Sequence, residues 1–370
     1  MTTPALPNQR LVSLDVMRGL IMILLAGEAC RVWDSIHELS PESFFGSYIM
    51  IQFFHHPWNG LRFWDLIQPA FMTMAGTAMY LSYIQKEKKG ISWEDNWKHI
   101  LIRCLKLLIA GTALHCVYSG KLVWELWNVL TQLSATTLIA YLIIRKSFAF
   151  QFGISIGLLI LTEILYRFVL MPGFDQPFVD QHNFGNYMDM VLMGKINGGG
   201  WVTINFIPTA AHTIWGVLIG KWLMEDKPSS AKLKWLSIAG VGFLVVGFAM
   251  DLAGITPIIK RIATSSFTIA SAGWVILLVA LLFWWIDIRK KQRGVLIATV
   301  VGMNSIFIYL FFETVGHQWL NKTLAVFAGG FTGLLGAGEH WQALFAALAA
   351  WIFTWYLCYW LYQRKVFFKL

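Results

Sequence analysis

Charged side chains are scarce in this sequence, where Asp, Glu, Lys and Arg make up 13% of 370 residues. Soluble globular domains carry about 25% charged residues. Hydrophobic residues reach 57% of the chain. Apolar stretches of about 20 residues, the length that crosses a bilayer as a helix, recur from one end to the other. The composition therefore excludes an ordinary soluble protein and predicts an all-α, polytopic membrane protein.

Cysteine is also rare, and its four positions, Cys30, Cys104, Cys116 and Cys358, contain no Cys-x-x-Cys pair. This spacing argues against a disulfide framework or a zinc site, so we expect buried thiols. The sequence has no HExxH or HxH arrangement and no GxxxxGK[ST] phosphate loop. We therefore expect no metal site and no phosphate-binding loop of the P-loop type.

The apolar stretches predict about ten membrane-spanning helices within a single transmembrane domain over residues 1–370. The predicted spans cover residues 11–31, 63–84, 99–118, 122–144, 149–171, 202–224, 233–252, 265–288, 295–318 and 342–363.

The distribution of Lys and Arg indicates how these spans are oriented. When both termini are placed on the cytoplasmic side, 20 of the 29 Lys and Arg residues fall in inner segments and eight in outer segments. Topology therefore explains the net charge of +9, with attraction to anionic lipid secondary and nucleic acid not an expected partner. The first residues show no cleavable signal pattern, so we expect a short inner tail and a bacterial inner membrane.

The long connecting segments fall on the outer side, at residues 32–62, 172–201 and 319–341. Because loops often carry binding and catalytic residues, we expect function on this side. Residues 186–197 predict a short interfacial helix. Residues 194–201 and 328–341 are rich in glycine and predict flexible turns.

Two opposite charges lie on one face of the first predicted span. Asp15 and Arg18 are three residues apart, and a charge inside a span costs about 2.5–3.5 kcal/mol on insertion scales. One interpretation is a structural ion pair. The other is that Arg18 binds an anionic cofactor that enters from the inner side.

Further polar residues cluster in the outer half of the predicted spans, which indicates a polar cavity open to the outside. For each residue alone, an interhelical hydrogen bond is the alternative interpretation. Glu125, Asn128 and Gln132 follow helical spacing and are expected to share one face. The other members of this set are Glu28, Asp65, His115, Asn205, His212, Asn304, Ser305, Glu313 and His317.

The segment HHPWNGLRFWDLIQPAF (55–71) places two histidines before a Pro-Trp-Asn-Gly turn, with Asp65 just inside the next apolar run. A carboxylate can orient an imidazole and raise its basicity. The segment therefore offers a candidate general base or nucleophile. An ordinary histidine at the membrane surface is the alternative.

Eight segments in one order resemble the heparan-α-glucosaminide N-acetyltransferase family and its bacterial relatives, within the wider group of transmembrane acyltransferases. The resemblance covers nearly the whole chain. The segments are RLVSLDVMRGL (10–20), HHPWNGLRFWDLIQPAF (55–71), WNVLTQL (127–133), NYMDMVLMG (186–194), TINFIPTAAHTIWGVLIGKWL (203–223), TPIIKRIATSSF (256–267), VGMNSIFIYL (301–310) and LYQRKVFFKL (361–370).

The resemblance implies that His55, three residues before Trp-Asn-Gly, is the catalytic residue. It implies transfer of an acetyl group from cytosolic acetyl-CoA to the amine of a terminal glucosamine across the membrane. His55 would carry the acetyl group or deprotonate the amine, and Asp65 would orient it. The other expected contacts are Arg18, Asn304 and Ser305 with acetyl-CoA, and Glu28, Trp58, Asn59 and Lys260 with the acceptor, where Lys260 is equally a candidate lipid-headgroup anchor.

The sequence departs from the family pattern at Ala29, at Leu130–Gln132 and at Gly198–Trp201. These departures concern places where an acceptor or cofactor would be held. Two alternatives to an N-acetyltransferase remain open: a transporter for sugars or sugar derivatives with the same fold, and an O-acyltransferase acting on cell-envelope glycan. A homodimer is a further expectation, since dimers are common among such proteins.

Overall fold

The computed structural model describes residues 11–368, which form helices and isolated turns with no β-strand among them. The all-α class is therefore confirmed for this part of the chain. Some helices begin after a serine N-cap. The side-chain hydroxyls of Ser92 and Ser147 each accept a hydrogen bond from the backbone N–H of the residue three positions later. The α-helices are α1 (Val12–Ala29), α2 (Val32–Glu38), α3 (Ile67–Glu87), α4 (Trp93–Ser119), α5 (Val129–Leu142), α6 (Phe148–Phe168), α7 (Phe184–Met193), α8 (Phe206–Met224), α9 (Ser229–Leu252), α10 (Ser265–Leu282), α11 (Val295–Met303), α12 (Ser305–Phe311), α13 (Asn321–Leu324), α14 (Gly330–Leu334) and α15 (Glu339–Gln363). Short 3₁₀ or π-helical segments are Phe45–Ile49, Met50–Phe53, Phe63–Leu66, Thr203–Asn205, Phe283–Ile288, Phe312–Leu320 and Ala325–Gly329.

Within residues 11–368, five helices are long and apolar enough to cross a membrane: α4, α6, α9, α15, and α10 extended to Ile288. A sixth is added if α11 and the bent helical run Ser305–Leu334 are one span. The chain is therefore an all-α integral membrane protein. The predicted total of ten is not reached by this measure. One reason is that some spans carry polar groups, as α1 does with Asp15, Arg18 and Glu28.

The chain divides into two compact units that are each discontinuous in sequence. The first unit comprises His56–Leu61 and Asp65–Leu281, and the second comprises the described residues of Arg10–His55, Arg62–Trp64 and Leu282–Leu370. The prediction of a single domain stays a prediction. The expected cytoplasmic position of both termini concerns residues 1–10 and 369–370, which lie outside the described residues.

In the first unit, α8 forms the core, and every residue of Pro208–Gly220 is buried. α3 packs very closely along it. A Cβ atom added at Gly76 would lie 2.0 Å from the carbonyl oxygen of Thr213, and one at Gly216 would lie 2.1 Å from that of Thr73. Small residues at helix contacts in membranes permit this approach of two backbones. Glycine at these positions therefore fixes the spacing of α3 and α8.

In the second unit, α1 packs against α11 with the same kind of contact. A Cβ atom at Gly19 would lie 1.8 Å from the carbonyl oxygen of Ala298, and one at Gly302 would lie 2.5 Å from that of Asp15. The Asp287 carboxylate accepts the first two backbone N–H groups of α1, at 3.2 and 3.3 Å. A carboxylate at a helix N-terminus is favourable because it satisfies unpaired N–H groups and complements the helix dipole.

The fourth predicted span, 122–144, begins too early. α5 starts at Val129, because the Asn128 side chain caps it by accepting the Leu130 N–H, while residues 121–127 are not helical. The expectation that Glu125, Asn128 and Gln132 share a helix face is therefore wrong, since only Gln132 lies within the helix.

The ninth predicted span, 295–318, is not straight. The helices on either side of Asn304 are bent by 75°. Beyond this bend the chain stays helical to Leu334, so the flexible turn predicted for 328–341 is wrong over its first half. A short helix predicted at 186–197 is confirmed as α7, which ends at Met193, and its interfacial position stays a prediction.

Candidate active site

The Trp-Asn-Gly turn of the first unit is held against the segment Ile258–Arg261 by backbone contacts. The Gly60 N–H donates to the Ile258 carbonyl at 2.8 Å, and Asn59 pairs with Ile259 in an isolated antiparallel bridge. The segment resemblance drew attention to both stretches, and the structure brings them together. Asn59 itself is exposed, so its amide is accessible for a ligand.

His56 lies directly on this turn. A Cβ atom added at Gly60 would lie 2.6 Å from Nε2 of His56, and Gly60 has a φ of +148°, which L side chains rarely adopt. The backbone N–H of His56 donates to Oδ2 of Asp65 at 3.2 Å. Glycine is therefore required here, because any side chain would displace the imidazole.

A buried ion pair lies beneath the turn. Nζ of Lys260 is 3.5 Å from Oδ1 of Asp65, and the two side chains are 7% and 0% exposed. The ring centroid of Trp201 lies 5.3 Å from the same ammonium. A charge removed from water is tolerated when it has a partner, and both groups have one here. Lys260, expected as an acceptor contact, thus neutralises the carboxylate that the sequence assigned to histidine orientation.

Trp58 and Arg261 fix two glycine-containing segments around this pair. The Trp58 indole N–H donates to the Phe178 carbonyl at 2.8 Å, which ties the turn to the segment before α7. The Arg261 guanidinium donates to the Gly199 carbonyl. The turn predicted from the glycines is confirmed at residues 198–199, and Arg261 holds its Gly199 carbonyl.

The second unit contains the other predicted residues of the histidine segment. The His55 carbonyl accepts a hydrogen bond from Nη1 of Arg62 at 2.9 Å, and the His55 residue is partly buried. Glu28 is exposed and accepts the indole N–H of Trp64 at 2.9 Å. Trp64 is 1% exposed, so its indole orients the Glu28 carboxylate from a buried position.

Of the three residues expected to contact acetyl-CoA, Arg18 and Asn304 have internal partners in the second unit. Arg18 pairs with Asp15 at 2.7 Å, which confirms the ion pair predicted from their spacing. The buried amide of Asn304 donates to the Val366 carbonyl at 3.1 Å and accepts the Phe368 N–H at 3.0 Å. Ser305 begins α12 and is partly buried. Binding of acetyl-CoA by these residues stays a prediction.

A second polar cluster consists of His115, Glu125 and Lys195, of which the sequence analysis named only the first two. His115 Nδ1 lies 2.6 Å from one oxygen of Glu125, and Lys195 Nζ lies 2.6 Å from the other. Burial alone would raise the pKa of Glu125, but the hydrogen bonds and charges of Lys195 and His115 lower it below its ordinary value. The sequence singled out His115 and Glu125, but no local pattern could pair them with Lys195, which follows α7.

Next to this cluster, the Trp127 indole N–H donates to Oδ2 of Asp189 at 2.8 Å, and the Thr203 N–H donates to Oδ1 at 2.9 Å. Burial raises the pKa of the Asp189 carboxyl in spite of these bonds. Asp189, Trp201 and Arg261 are the residues that the sequence analysis missed. Each lies in a segment that the resemblance had marked or bordered, and that was the available signal.

Comparison with known proteins identifies two similar enzymes, while no family model matches the chain. The heparan-alpha-glucosaminide N-acetyltransferase of Mus musculus is 23% identical over 385 residues, covering 86% of this chain and 56% of the mouse protein. The Homo sapiens enzyme of the same name is 22% identical over 433 residues, covering 99% of this chain and 60% of the human protein. The chain thus spans less than two thirds of the relatives it matches. It is a distant relative of the heparan-alpha-glucosaminide N-acetyltransferases.

Proposed function

We propose that this chain is a membrane-bound N-acetyltransferase that moves an acetyl group from acetyl-CoA to the amine of an amino sugar. The observation that carries the proposal is the similarity to two N-acetyltransferases over 86% and 99% of the chain. The Trp-Asn-Gly turn with the buried Asp65–Lys260 pair beneath it supports the same assignment, because buried charges in a membrane protein often mark functional sites.

In the proposed reaction, the amine nitrogen of the acceptor attacks the thioester carbonyl carbon, and the carbon–sulfur bond breaks. The new bond is an amide, the amine loses a proton, and CoA leaves as the thiol after taking one up. In this direct route His55 accepts the amine proton. In the alternative route a ring nitrogen of His55 attacks the thioester carbonyl carbon, CoA leaves as the thiol, and the amine then attacks the acetyl group and releases the imidazole. Asp65 orients His55.

The proposed topology has ten spans, both termini in the cytoplasm and the His55 segment on the periplasmic face of a bacterial inner membrane. Acetyl-CoA is polyanionic and cannot cross lipid, so it enters from inside. The acceptor approaches from outside. The proposed contacts are Arg18, Asn304 and Ser305 with acetyl-CoA, and Glu28, Trp58, Asn59 and Lys260 with the acceptor.

The decisive experiment measures CoA release by the purified protein given acetyl-CoA, with and without glucosamine. Wild type is compared with His55→Ala and with His182→Ala, an exposed histidine of another loop that serves as the control. We expect glucosamine-dependent release that His55→Ala abolishes and His182→Ala retains. Absence of both release and acetyl-CoA binding in wild type would contradict the donor assignment and favour a sugar transporter.

A further inference from the structure

Asp180 carries a buried carboxylate oxygen, Oδ1, that has no hydrogen-bond partner within the described part of the chain. Leaving a buried polar atom unsatisfied costs about 1–3 kcal/mol, and more for a charged group. Folded proteins therefore keep few such atoms, and each calls for a physical explanation. Asp180 lies in the outer segment between α6 and α7, beside the turn that holds Trp58.

Gly200 lies next to both this oxygen and the Trp58 side chain. A Cβ atom added at Gly200 would lie 2.4 Å from Oδ1 of Asp180 and 2.8 Å from Cζ3 of Trp58. The carboxylate oxygen and the six-membered part of the indole therefore both pack against the same side of Gly200, close to one another, with no room for an added carbon atom. Gly200 has a φ of +76°, so the chain needs glycine here for its backbone as well as for this close packing.

The segment that carries Asp180 is held rigidly. The Phe178 carbonyl accepts the Trp58 indole N–H at 2.8 Å. The Phe178 ring stacks on Tyr166 with centroids 6.0 Å apart and an interplanar angle of 7°. The Arg167 guanidinium lies 4.8 Å from the centre of the same ring. The carboxylate is thus positioned before any ligand arrives, which lowers the entropy lost on binding.

A second buried polar atom without a partner borders the same glycine turn. Arg261 donates through its Nη1 to the Gly199 carbonyl, but its Nε has no hydrogen-bond partner among the described residues. One atom therefore requires a donor and the other an acceptor. A hydroxyl group supplies both functions, whereas a simple cation or anion supplies only one.

We infer that Asp180 is an acceptor-binding residue that receives hydroxyl groups of a sugar ring whose apolar face lies against Trp58. The inference rests on the proposed function and names the part of the acceptor, its hydroxyls rather than its amine, that this carboxylate recognises. Aromatic rings offer a large apolar surface to such a ring, and the carboxylate gives it orientation. Arg261 contributes the complementary donor.

The test uses the full-length protein in lipid nanodiscs without acetyl-CoA. Binding of glucosamine and of glucose is measured by ligand-observed NMR titration for wild type, Asp180→Asn and Asp175→Asn. Asp175 is an exposed carboxylate of the same segment and serves as the matched control. We expect Asp180→Asn to weaken both sugars by about tenfold. Asp175→Asn should leave both within twofold of wild type.

Each contrary result has one meaning. Unchanged binding of both sugars by a folded Asp180→Asn protein would show that the oxygen holds an ordered water only, which overturns the inference. A loss confined to glucosamine would assign Asp180 to the ammonium group and overturn the hydroxyl assignment. Failure of wild type to bind either sugar would also overturn the inference. If both sugars bind in an Asp180-dependent way but no acetyl transfer occurs, the inference about Asp180 stands and the proposed reaction is wrong.

Discussion

Lys260 and Asp65 lie 195 positions apart in sequence, yet the ammonium of one is 3.5 Å from the carboxylate of the other in a buried setting. The Trp-Asn-Gly turn is attached to both sides of this pair, through the His56 N–H on Asp65 and through Ile258 and Ile259 beside Lys260. Within the first unit, the ion pair therefore connects the residues just before α3 to the segment just before α10.

Removing one member of this pair should be costly. We expect Lys260→Met to lower the free energy of unfolding by about 3–5 kcal/mol, because it leaves the Asp65 carboxylate buried without its counter-charge. The double substitution Lys260→Met with Asp65→Leu should cost less than Lys260→Met alone. Thermal unfolding in detergent micelles measures both variants.

The control is Glu94→Gln, since Glu94 pairs with Arg145 on the surface at 3.2 Å and is 68% exposed. It should change the stability by about 0–1 kcal/mol. Equal losses for Lys260→Met and Glu94→Gln would contradict the claim that burial makes the Asp65 pair costly to break.

Glu125 predicts a pH dependence of stability. Its pKa is below the ordinary value of 4.5 in the folded protein, so the folded state binds fewer protons than the unfolded state. Its contribution is therefore complete above pH 4.5 and is lost as the pH falls through the folded-state pKa. Unfolding of wild type and Glu125→Gln is compared between pH 7 and pH 3, a range set by ordinary carboxyl pKa values of about 4.

We expect the difference in stability between wild type and Glu125→Gln to shrink in acid. Glu38→Gln is the control, because Glu38 lies on the surface with its carboxylate 44% exposed. A difference that grows on acidification would show that Glu125 is protonated in the folded protein, contrary to its contacts with Lys195 and His115.

Because α3 and α8 pack closely, we expect one added methyl group at their contact to lower the stability of the protein. Gly216→Ala would place Cβ 2.1 Å from the backbone oxygen of Thr73, and a backbone atom cannot move away cheaply. Forcing the two helices apart should cost about 1–3 kcal/mol. Gly242→Ala in α9 is the matched control, because no atom lies within 4 Å of the added Cβ.

In the Gly242→Ala control the added methyl should stabilise the helix by about 0.8–1 kcal/mol through its higher helix propensity. Chemical denaturation or thermal unfolding measures the stability of both variants against wild type. If Gly216→Ala is as stable as wild type, the close packing of these two helices is not required.

Asn304 predicts an effect on the end of the chain. Asn304→Ala removes the amide that bonds to Val366 and Phe368, so the residues after α15 should detach from the second unit. Trypsin cleavage after Lys365 should become faster by about fivefold or more, the ratio expected for loss of roughly 1 kcal/mol of local stability. Mass spectrometry of the released terminus measures the rate, and Ser305→Ala serves as the neighbouring control.

The sequence located most long helices well, because apolar runs of the right length need no distant partner to be visible. α4, α6, α9 and α15 lie close to the predicted spans. The start of α5 was missed because Asn128 caps the helix and residues 121–127 before it are not helical, while the Glu125 carboxylate bonds to Lys195, seventy residues away. The bend at Asn304 was missed because this residue leaves the helical conformation, with φ −119° and ψ 31°, inside an otherwise apolar run.

In the candidate site as well, the sequence identified individual residues but not their contacts with distant segments. The histidine segment and Lys260 could be selected by resemblance, and Asp65 by its charge inside an apolar run. Their pairing could not be predicted, because it depends on which segments meet in space. The helix within 328–341 was missed since glycine disfavours helices locally, yet Gly330–Leu334 packs against α15, and packing outweighs propensity.

The discontinuity of the second unit has a consequence for the timing of biosynthesis. α1 is made early, but its glycine-packed partner α11 begins about 270 residues later. At synthesis rates of about 5–20 residues per second, α1 waits for roughly 15–50 s before Ala298 and Gly302 exist. During this interval one turn of helix alone brings Asp15 and Arg18 together, so these two charges of α1 neutralise each other before α11 is present.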